Sequence, residues 1–279
     1  MSQAPRSPPP PTSWTSGLLE VAYVTDVGLV RPSNQDNLYV AEPSRVSDPA
    51  GLLVAVADGM GGHQGGEVAS SHVREALESY YKAVGPDSVE KDFKKLVTEA
   101  NKTLSRKSRQ DPDLTGMGTT LTAAVIQGEK SVTVFQVGDS RAYRRRHDEL
   151  SQLTQDHSLV NEELKKGTIT PEEAKNHPKR NVITRAVGTR PILDVDTYRV
   201  DLEPDDDLLL CSDGLHGYVP EEKIADILKR GLPADRTVEE LLALAYEAGG
   251  HDNVAIVLVR LREKLPWFRR IFRSLWPLR

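Results

Sequence analysis

Residues 51–66, GLLVAVADGMGGHQGG, organise the interpretation of the whole chain, because an apolar run stops at Asp58 and five glycines follow it. The run Leu52–Ala57 is short, apolar and bounded by glycine, which predicts a buried strand that leaves its sheet at Asp58. Glycine permits positive φ and close approach of the backbone to a ligand, so the stretch suits an ion or phosphate site. A single Asp-Gly pair is also typical of an ordinary turn.

The same arrangement of an acid and a glycine at a strand end occurs three more times. The further acids are Asp139 after the run 131–137, Asp213 after DLLLCS (207–212), and Asp252 before the run 253–261. Four unrelated turns explain this pattern poorly. Carboxylates that converge at one edge of a sheet repel one another unless a cation neutralises them.

The donor types favour Mg²⁺ or Mn²⁺ over zinc, because the acids supply oxygen and there is no cluster of histidine and cysteine at metal-ligand spacing. His63 and His251 lie near these acids in sequence, although a histidine beside a glycine turn is more often a polar loop residue.

Composition excludes several classes of protein. The 279 residues include one cysteine, Cys211, so a disulfide framework and a cysteine-rich zinc site are excluded. A cysteine-based phosphatase would need arginine six positions later, where Gly217 stands. The net charge of −5 divides into +6 for residues 260–279 (seven Lys/Arg, one Glu) and −11 for the rest, so nucleic acid is not an expected partner.

Hydrophobic periodicity predicts strands in blocks and helices in pairs. The strands are expected at 20–26, 37–41, 52–57, 118–126, 131–137, 141–146, 194–201, 207–212 and 253–261, and the helices within 68–84, 89–104, 220–230 and 238–248. Capping boxes at Thr170–Glu173 and Thr237–Glu240 mark two helix starts. Hairpin spacing of the strands predicts an α+β fold with antiparallel sheets. Arg144–Arg146 are expected on a solvated strand face, and Asp205–Asp207 in a turn.

The chain is expected to contain a single folded domain over 17–261, with a polar surface insertion at about 155–189. Residues 1–16 are rich in Pro and Ser, so we expect them to be disordered. No apolar signal or spanning segment occurs, and a cytoplasmic protein is expected. The tail 262–279 is basic and amphipathic over 267–276, which suits contact with an anionic membrane, with the acidic body of the chain or with a partner.

Seven motifs carry a resemblance to a known family. They are SNQDN (33–37, after Arg31), VADGMGG (56–62), GMGTT (116–120), GDSRA (138–142), TQDHS (154–158), CSDG (211–214) and HDN (251–253). In order and spacing they resemble the metal-dependent type 2C serine/threonine protein phosphatases, bacterial branch, across roughly residues 18–261. The resemblance implies a two-sheet antiparallel β-sandwich flanked on both faces by helix pairs, a four-layer α-β-β-α fold.

The resemblance also implies roles for individual residues. Asp58 would bridge two Mn²⁺ or Mg²⁺ ions, the Gly59 carbonyl would bind one of them, and Asp213 and Asp252 would bind the other. Asp139, with Asp213, would hold a third ion. Arg31 would bind the substrate phosphate through its planar fork.

Three positions depart from the pattern of the family. Gln35 stands where many relatives have Glu, so Asp36 is the better anionic candidate, acting through water. Met60 stands where the eukaryotic branch has a histidine, its proposed general acid. Gly217 stands where some relatives have a further aspartate, which weakens the expectation of a third ion.

The implied function is hydrolysis of phosphoserine and phosphothreonine in proteins by direct attack of a water that bridges the two metals. Expected partners are phosphorylated proteins, among them serine/threonine kinases and their substrates, and the expected state is a monomer. The insertion at 155–189 resembles the mobile flap of the family. The alternative is a catalytically silent module that binds metal and phosphoproteins.

Overall fold

The computed structural model describes residues 7–61, 64–128, 130–175 and 177–262. The strands are β1 (Thr12–Ser16), β2 (Leu19–Asp26), β3 (Asp36–Val40), β4 (Leu52–Met60), β5 (Gly118–Thr119), β6 (Leu121–Gln127), β7 (Ser131–Val137), β8 (Arg141–Arg146), β9 (Glu149–Gln152), β10 (Asp196–Asp201), β11 (Asp207–Cys211) and β12 (Val254–Leu261). The helices are α1 (Gly65–Glu78), α2 (Tyr80–Ala83), α3 (Val89–Gln110), α4 (Leu159–Lys165), α5 (Pro171–Lys175), α6 (Asp213–His216), α7 (Glu221–Lys229) and α8 (Ala234–Glu247).

The strands form two antiparallel sheets. One has the order β1-β2-β12-β11-β8-β9, and the other has the order β10-β7-β6-β4-β3, with β5 also paired to β4. Strands β6 and β7 form one hairpin, and β8 and β9 form another. Strand β12, the last in the chain, lies between β2 and β11. The predicted pair of antiparallel sheets is confirmed.

Three apolar layers hold the fold together. The layer between the sheets includes Val56 of β4, Leu210 of β11 and Val257 of β12. Helices α1 and α3 cover one outer face around Phe93, and α7 and α8 cover the other around Leu241. Every residue of β12 is buried because both faces of this strand are covered. The four-layer arrangement is therefore confirmed.

The expectation that residues 1–16 lie outside the fold is wrong for Thr12–Ser16. These residues form β1, which pairs with β2 from Thr12↔Tyr23 to Ser16↔Leu19. Trp14 packs against the layer between the sheets. Backbone pairing and one aromatic side chain thus add an edge strand to a segment whose composition is polar.

One of the two capping boxes forms as expected. The Thr170 amide donates to Glu173 Oε2 at 2.8 Å, and the Glu173 amide donates back to Thr170 Oγ1 at 3.3 Å. The other prediction is wrong, because α8 begins at Ala234, directly after Pro233. Thr237 lies buried inside the helix, and its hydroxyl donates to the Leu232 and Pro233 carbonyls.

Asp205 lies in a turn, as expected, whereas Asp206 and Asp207 form ion pairs with Arg146 and Arg145 of the strand that was expected to present a solvated face. Asp207 is fully buried on β11 and accepts hydrogen bonds from Arg145 of β8 and Arg260 of β12. Asp206 accepts from Arg146 at 2.7 Å. Three neighbouring strands are tied together at the end of the sheet where β11 begins.

Among the described residues, no helix is long and apolar enough to cross a membrane. The tail expectation for 267–276 concerns residues outside the described part of the chain.

Candidate active site

The predicted acids lie at one end of the sandwich because each follows or precedes a strand there. Asp36 is the first residue of β3 and is the register partner of Asp58 on β4. Asp213 opens α6 directly after β11, and Asp252 lies between α8 and β12. Asp139 lies in the turn between β7 and β8.

Strand β4 does not end at Asp58, as the sequence suggested, but continues to Met60. Its last residues pair with β5, Gly59 with Thr119 and Met60 with Gly118. The Asp58 amide donates to Thr120 Oγ1 at 2.9 Å, and its carbonyl accepts from the Thr120 amide at 2.8 Å. The Asp58 backbone is therefore fixed while its carboxyl is left to face the other acids.

The Asp58 carboxyl is the centre of the cluster. After burial, repulsion from Asp36, Asp213, Asp139 and Asp252 raises the pKa of this carboxyl, so all four acids lie near it. Ser212 adds a further contact, since its hydroxyl donates to Asp36 Oδ2 at 2.6 Å. Asp36, expected to act through water, is thus the cross-strand neighbour of the central acid.

Burial and mutual repulsion raise the pKa values of these carboxyls. Burial raises the pKa of Asp36 to about 8, with Asp213 and Asp252 adding repulsion. It raises the pKa of Asp139 to about 8 and, together with Asp252, that of Asp213 to about 6. The pKa of Asp58 is raised well above its ordinary value by burial and then by Asp36. A cluster of this kind binds protons or cations, since either relieves the repulsion.

Arg31 lies at the rim of the cluster. Its Nη2 lies 2.7 Å from Asp252 Oδ2, and the guanidinium side chain is 51% exposed. Asp213 contributes further attraction to Arg31. The arginine is therefore anchored at one nitrogen and still open to an anion arriving from solvent.

The loop that carries Arg31 is held by Asn253, a residue to which sequence reasoning gave no role. Asn253 Oδ1 accepts from the Gln35 amide at 2.9 Å, and Nδ2 donates to the carbonyls of Val27 at 3.0 Å and Ser33 at 2.9 Å. Its place in the HDN motif, next to Asp252, was the signal that could have identified it.

Gly59 is required by close packing of β4 against the start of α1. A Cβ atom on Gly59 would lie 2.2 Å from the Gly66 carbonyl oxygen. The Gly59 amide donates to the Gln35 carbonyl at 3.1 Å. The role of the Gly59 carbonyl as a metal ligand stays a prediction.

The donor set fits divalent cations that prefer oxygen. Asp139 Oδ1 is buried and has no hydrogen-bond partner among the described residues, so its lone pairs are available to a cation. Within the described residues, no three acid, histidine or cysteine side chains by themselves enclose a metal position. Mg²⁺ commonly binds through one or two carboxylates and keeps several waters, so shared acids completed by water suit such ions.

The two histidines considered as ligands differ in outcome. His63 lies outside the described residues. His251 is exposed, and its ring packs against Tyr218 with the ring centroids 5.3 Å apart. Met60 is a strand residue with no proton to donate.

The insertion at 155–189 contains α4 and α5 and lies beside the acids. Its two ends are joined by the bridge Ser158↔Ile183, and the bridge Thr119↔Val187 ties it to β5. A cavity of about 1200 Å³ separates it from the α6–α7 segment and reaches Asp139 and Asp213. The cavity is large enough to admit a polypeptide segment next to the cluster.

This chain is similar in sequence and in fold to known phosphatases. The family described as protein phosphatase 2C matches residues 32–246. The serine/threonine phosphatase stp of Listeria welshimeri is 39% identical over 245 residues, covering 86% of this chain and 95% of the relative.

Two solved structures give the same result. That of the Mycobacterium tuberculosis serine/threonine phosphatase PstP/Ppp has a TM-score of 0.78 at 36% identity, covering 88% of this chain and 99% of that one. A catalytic domain of PstP in complex with two manganese ions has a TM-score of 0.76 at 35% identity, covering 88% of this chain and 99% of that one. The acid cluster, the fold and these relatives agree, and the chain belongs to the protein phosphatase 2C family as a serine/threonine phosphatase of the bacterial type.

Proposed function

We propose that this end of the sandwich binds two Mn²⁺ or Mg²⁺ ions and hydrolyses phosphoserine and phosphothreonine in proteins by direct attack of water. The observation that carries the proposal is the buried Asp58 carboxyl, which is surrounded by the repelling carboxyls of Asp36, Asp213, Asp139 and Asp252. Gly59 and Asp252 complete the proposed ligand set. The manganese-bound relative supports this choice of metals.

The ions, when bound, supply Lewis-acid polarisation of the phosphoryl group and lower the pKa of water. The residues of the chain would hold these ions and orient the phosphate. Asp58, Asp213 and Asp252 bind as carboxylates, and Asp36, which accepts a hydrogen bond from Ser212, lies opposite Asp58 on the neighbouring strand. Asp139, with its unpartnered Oδ1, is the proposed ligand of a further ion.

Arg31 binds and orients the phosphate in this proposal. Its planar guanidinium can donate to two phosphate oxygens at once, which sets the direction of attack and offsets negative charge. Nη2 is shared with Asp252 at 2.7 Å, so the phosphate and the metal ligand are connected through one side chain. A substrate polypeptide would lie in the cavity beneath the insertion.

The test is hydrolysis of a phosphothreonine peptide by the purified chain with added Mn²⁺, compared with Asp58→Asn. Asparagine keeps the shape of the side chain but removes the charge that attracts the cations. We expect Mn²⁺-dependent turnover in the wild type and its loss in the variant. A wild type that binds Mn²⁺ without any turnover would instead support the silent binding module.

We also propose that the enzyme acts in the cytoplasm on substrates of serine/threonine kinases, as a monomer, with the basic tail bringing it to anionic membranes. Co-sedimentation with anionic liposomes, with and without residues 262–279, tests the tail. Equal sedimentation of the two forms rejects a membrane role.

A further inference from the structure

The His157 side chain hydrogen-bonds with the Gly138 amide, next to Asp139, and with Asp196. It is 6% exposed, at the start of the insertion. Its amide donates to the Gly138 carbonyl at 2.9 Å, and its carbonyl accepts from the Thr184 amide at 2.8 Å. The backbone of His157 thus joins the β7–β8 turn to the returning end of the insertion.

The imidazole makes a second connection to the same turn. The Gly138 amide donates to Nδ1 at 3.1 Å, so Nδ1 carries no hydrogen. The hydrogen of the neutral ring is then on Nε2, which lies 3.2 Å from Asp196 Oδ2. Asp196 Oδ1 in turn accepts from Arg185 at 2.6 Å. Burial lowers the pKa of His157, which keeps the ring neutral.

The turn that His157 contacts requires glycine at position 138. Gly138 has φ +100°, and a Cβ atom there would lie 2.6 Å from Thr120 Cγ2. The next residue is Asp139, whose Oδ1 is buried without a partner. The direction of the Asp139 carboxyl is therefore set by a three-residue connection, 138–140, whose first residue is hydrogen-bonded to His157 through both its amide and its carbonyl.

We propose that His157 is a positioning residue for Asp139, acting through the Gly138 amide, with Asp196 and Arg185 fixing its tautomer. The proposal rests on the proposed function only in that Asp139 serves as a cation ligand. It assigns to the insertion a structural link to the metal-binding turn, in addition to covering the cavity.

Two substitutions separate the two ring contacts. In His157→Asn the amide oxygen can replace Nδ1 as acceptor, while the contact to Asp196 is lost. In His157→Gln the amide nitrogen can replace Nε2 as donor, while the acceptor for Gly138 is lost. His72→Gln, on α1, is the matched control for loss of a histidine.

The first measurement is hydrogen exchange at the Gly138 amide in the metal-free protein. We expect protection in the wild type, in His72→Gln and in His157→Asn, and faster exchange in His157→Gln. Equal exchange in the two His157 variants overturns the proposal. This measurement does not depend on catalysis, so failure of the proposed function, seen as absence of Mn²⁺-dependent turnover in the wild type, is a separate outcome.

The second measurement is Mn²⁺ binding by calorimetry. We expect the affinity of the weakest Mn²⁺ site to fall roughly 10- to 100-fold in His157→Gln, as is usual when a residue behind a ligand is replaced, and to stay near wild type in His157→Asn. In the Asp139→Asn background, His157→Gln should cause no further loss. A further loss in that background would show that His157 acts on other ligands and would overturn the proposal.

Discussion

Asn253 uses both ends of its amide to hold the loop between β2 and β3. Its three hydrogen bonds close residues 27–35 into one shape, and the residue is 6% exposed. Asn253→Ala leaves three backbone groups without these partners. We expect a loss of unfolding free energy on the order of 2 kcal/mol and an increase in KM for the phosphopeptide, because Arg31 is no longer held in place.

Denaturant unfolding and steady-state kinetics measure these two effects. Asn37→Ala is the control, since Asn37 is also a strand-end amide but bonds to the serine hydroxyls of α1. An unchanged KM in Asn253→Ala would show that the loop keeps its shape without the amide.

Arg31 itself is expected to be irreplaceable by lysine. The ammonium group of lysine is a single point charge and cannot reproduce a planar fork that bonds Asp252 and phosphate together. Loss of one charge-assisted hydrogen bond corresponds to about 1.5–3 kcal/mol, so Arg31→Lys should lower kcat/KM roughly tenfold or more. Inorganic phosphate should inhibit the variant more weakly. If phosphate inhibits the variant and the wild type equally, Arg31 does not bind the phosphate.

The sequence predicted which residues form the site better than it predicted the contacts between them. Asp58, Asp139, Asp213 and Asp252 could be found because each stands beside glycine at a strand end. Asp36 lacks a glycine neighbour, and only the β3–β4 register shows that it faces Asp58. Ser212 and His157 act through contacts to residues more than 15 positions away, and local patterns do not encode such contacts.

At the scale of the elements, Asp207 joins three strands, β8, β11 and β12. It receives hydrogen bonds from Arg145 and Arg260, and all three side chains are buried. Removing one member of a buried ionic network leaves the others uncompensated. Asp207→Asn should therefore lower the unfolding free energy by roughly 3 kcal/mol or more.

Chemical denaturation measures this loss, and Asp201→Asn, at the exposed last residue of β10, is the matched control. The network lies at the end of its strand opposite Asp213, so kcat/KM per folded molecule should stay at the wild-type value. A change in kcat/KM at full folding would mean that the network also positions the acid cluster.

The elements that the sequence missed are those stabilised by distant partners. Strand β1 has one apolar side chain and is defined by its pairing with β2. The start of α8 follows Pro233, and Thr237, which fits a capping box locally, is buried inside the helix. The strands β4, β11 and β12 were predictable because a strand that is buried on both faces has a continuous run of apolar residues.

The molecule as a whole places several carboxyls in one buried cluster, which opposes folding wherever they are ionised. The pKa values of Asp36 and Asp139 are raised to about 8 and that of Asp213 to about 6, from an ordinary 3.8. The folded state therefore binds more protons than the unfolded state in this range. Stability from these groups is fully present below about pH 4 and is lost as the pH rises through about 6 and then about 8.

Cations should reverse this trend, because they bind the ionised acids of the folded state. In EDTA we expect the Tm to fall between about pH 5.5 and 8.5, the window of the raised pKa values. With saturating Mn²⁺ the Tm should be higher, and the difference between the two conditions should increase with pH. Calorimetric scans of the wild type and of Asp36→Asn measure both effects. The variant removes one of the repelling acids, so its Tm in EDTA should fall less. A metal-free wild type whose Tm is flat or rises across this range would contradict the assigned protonation of the cluster.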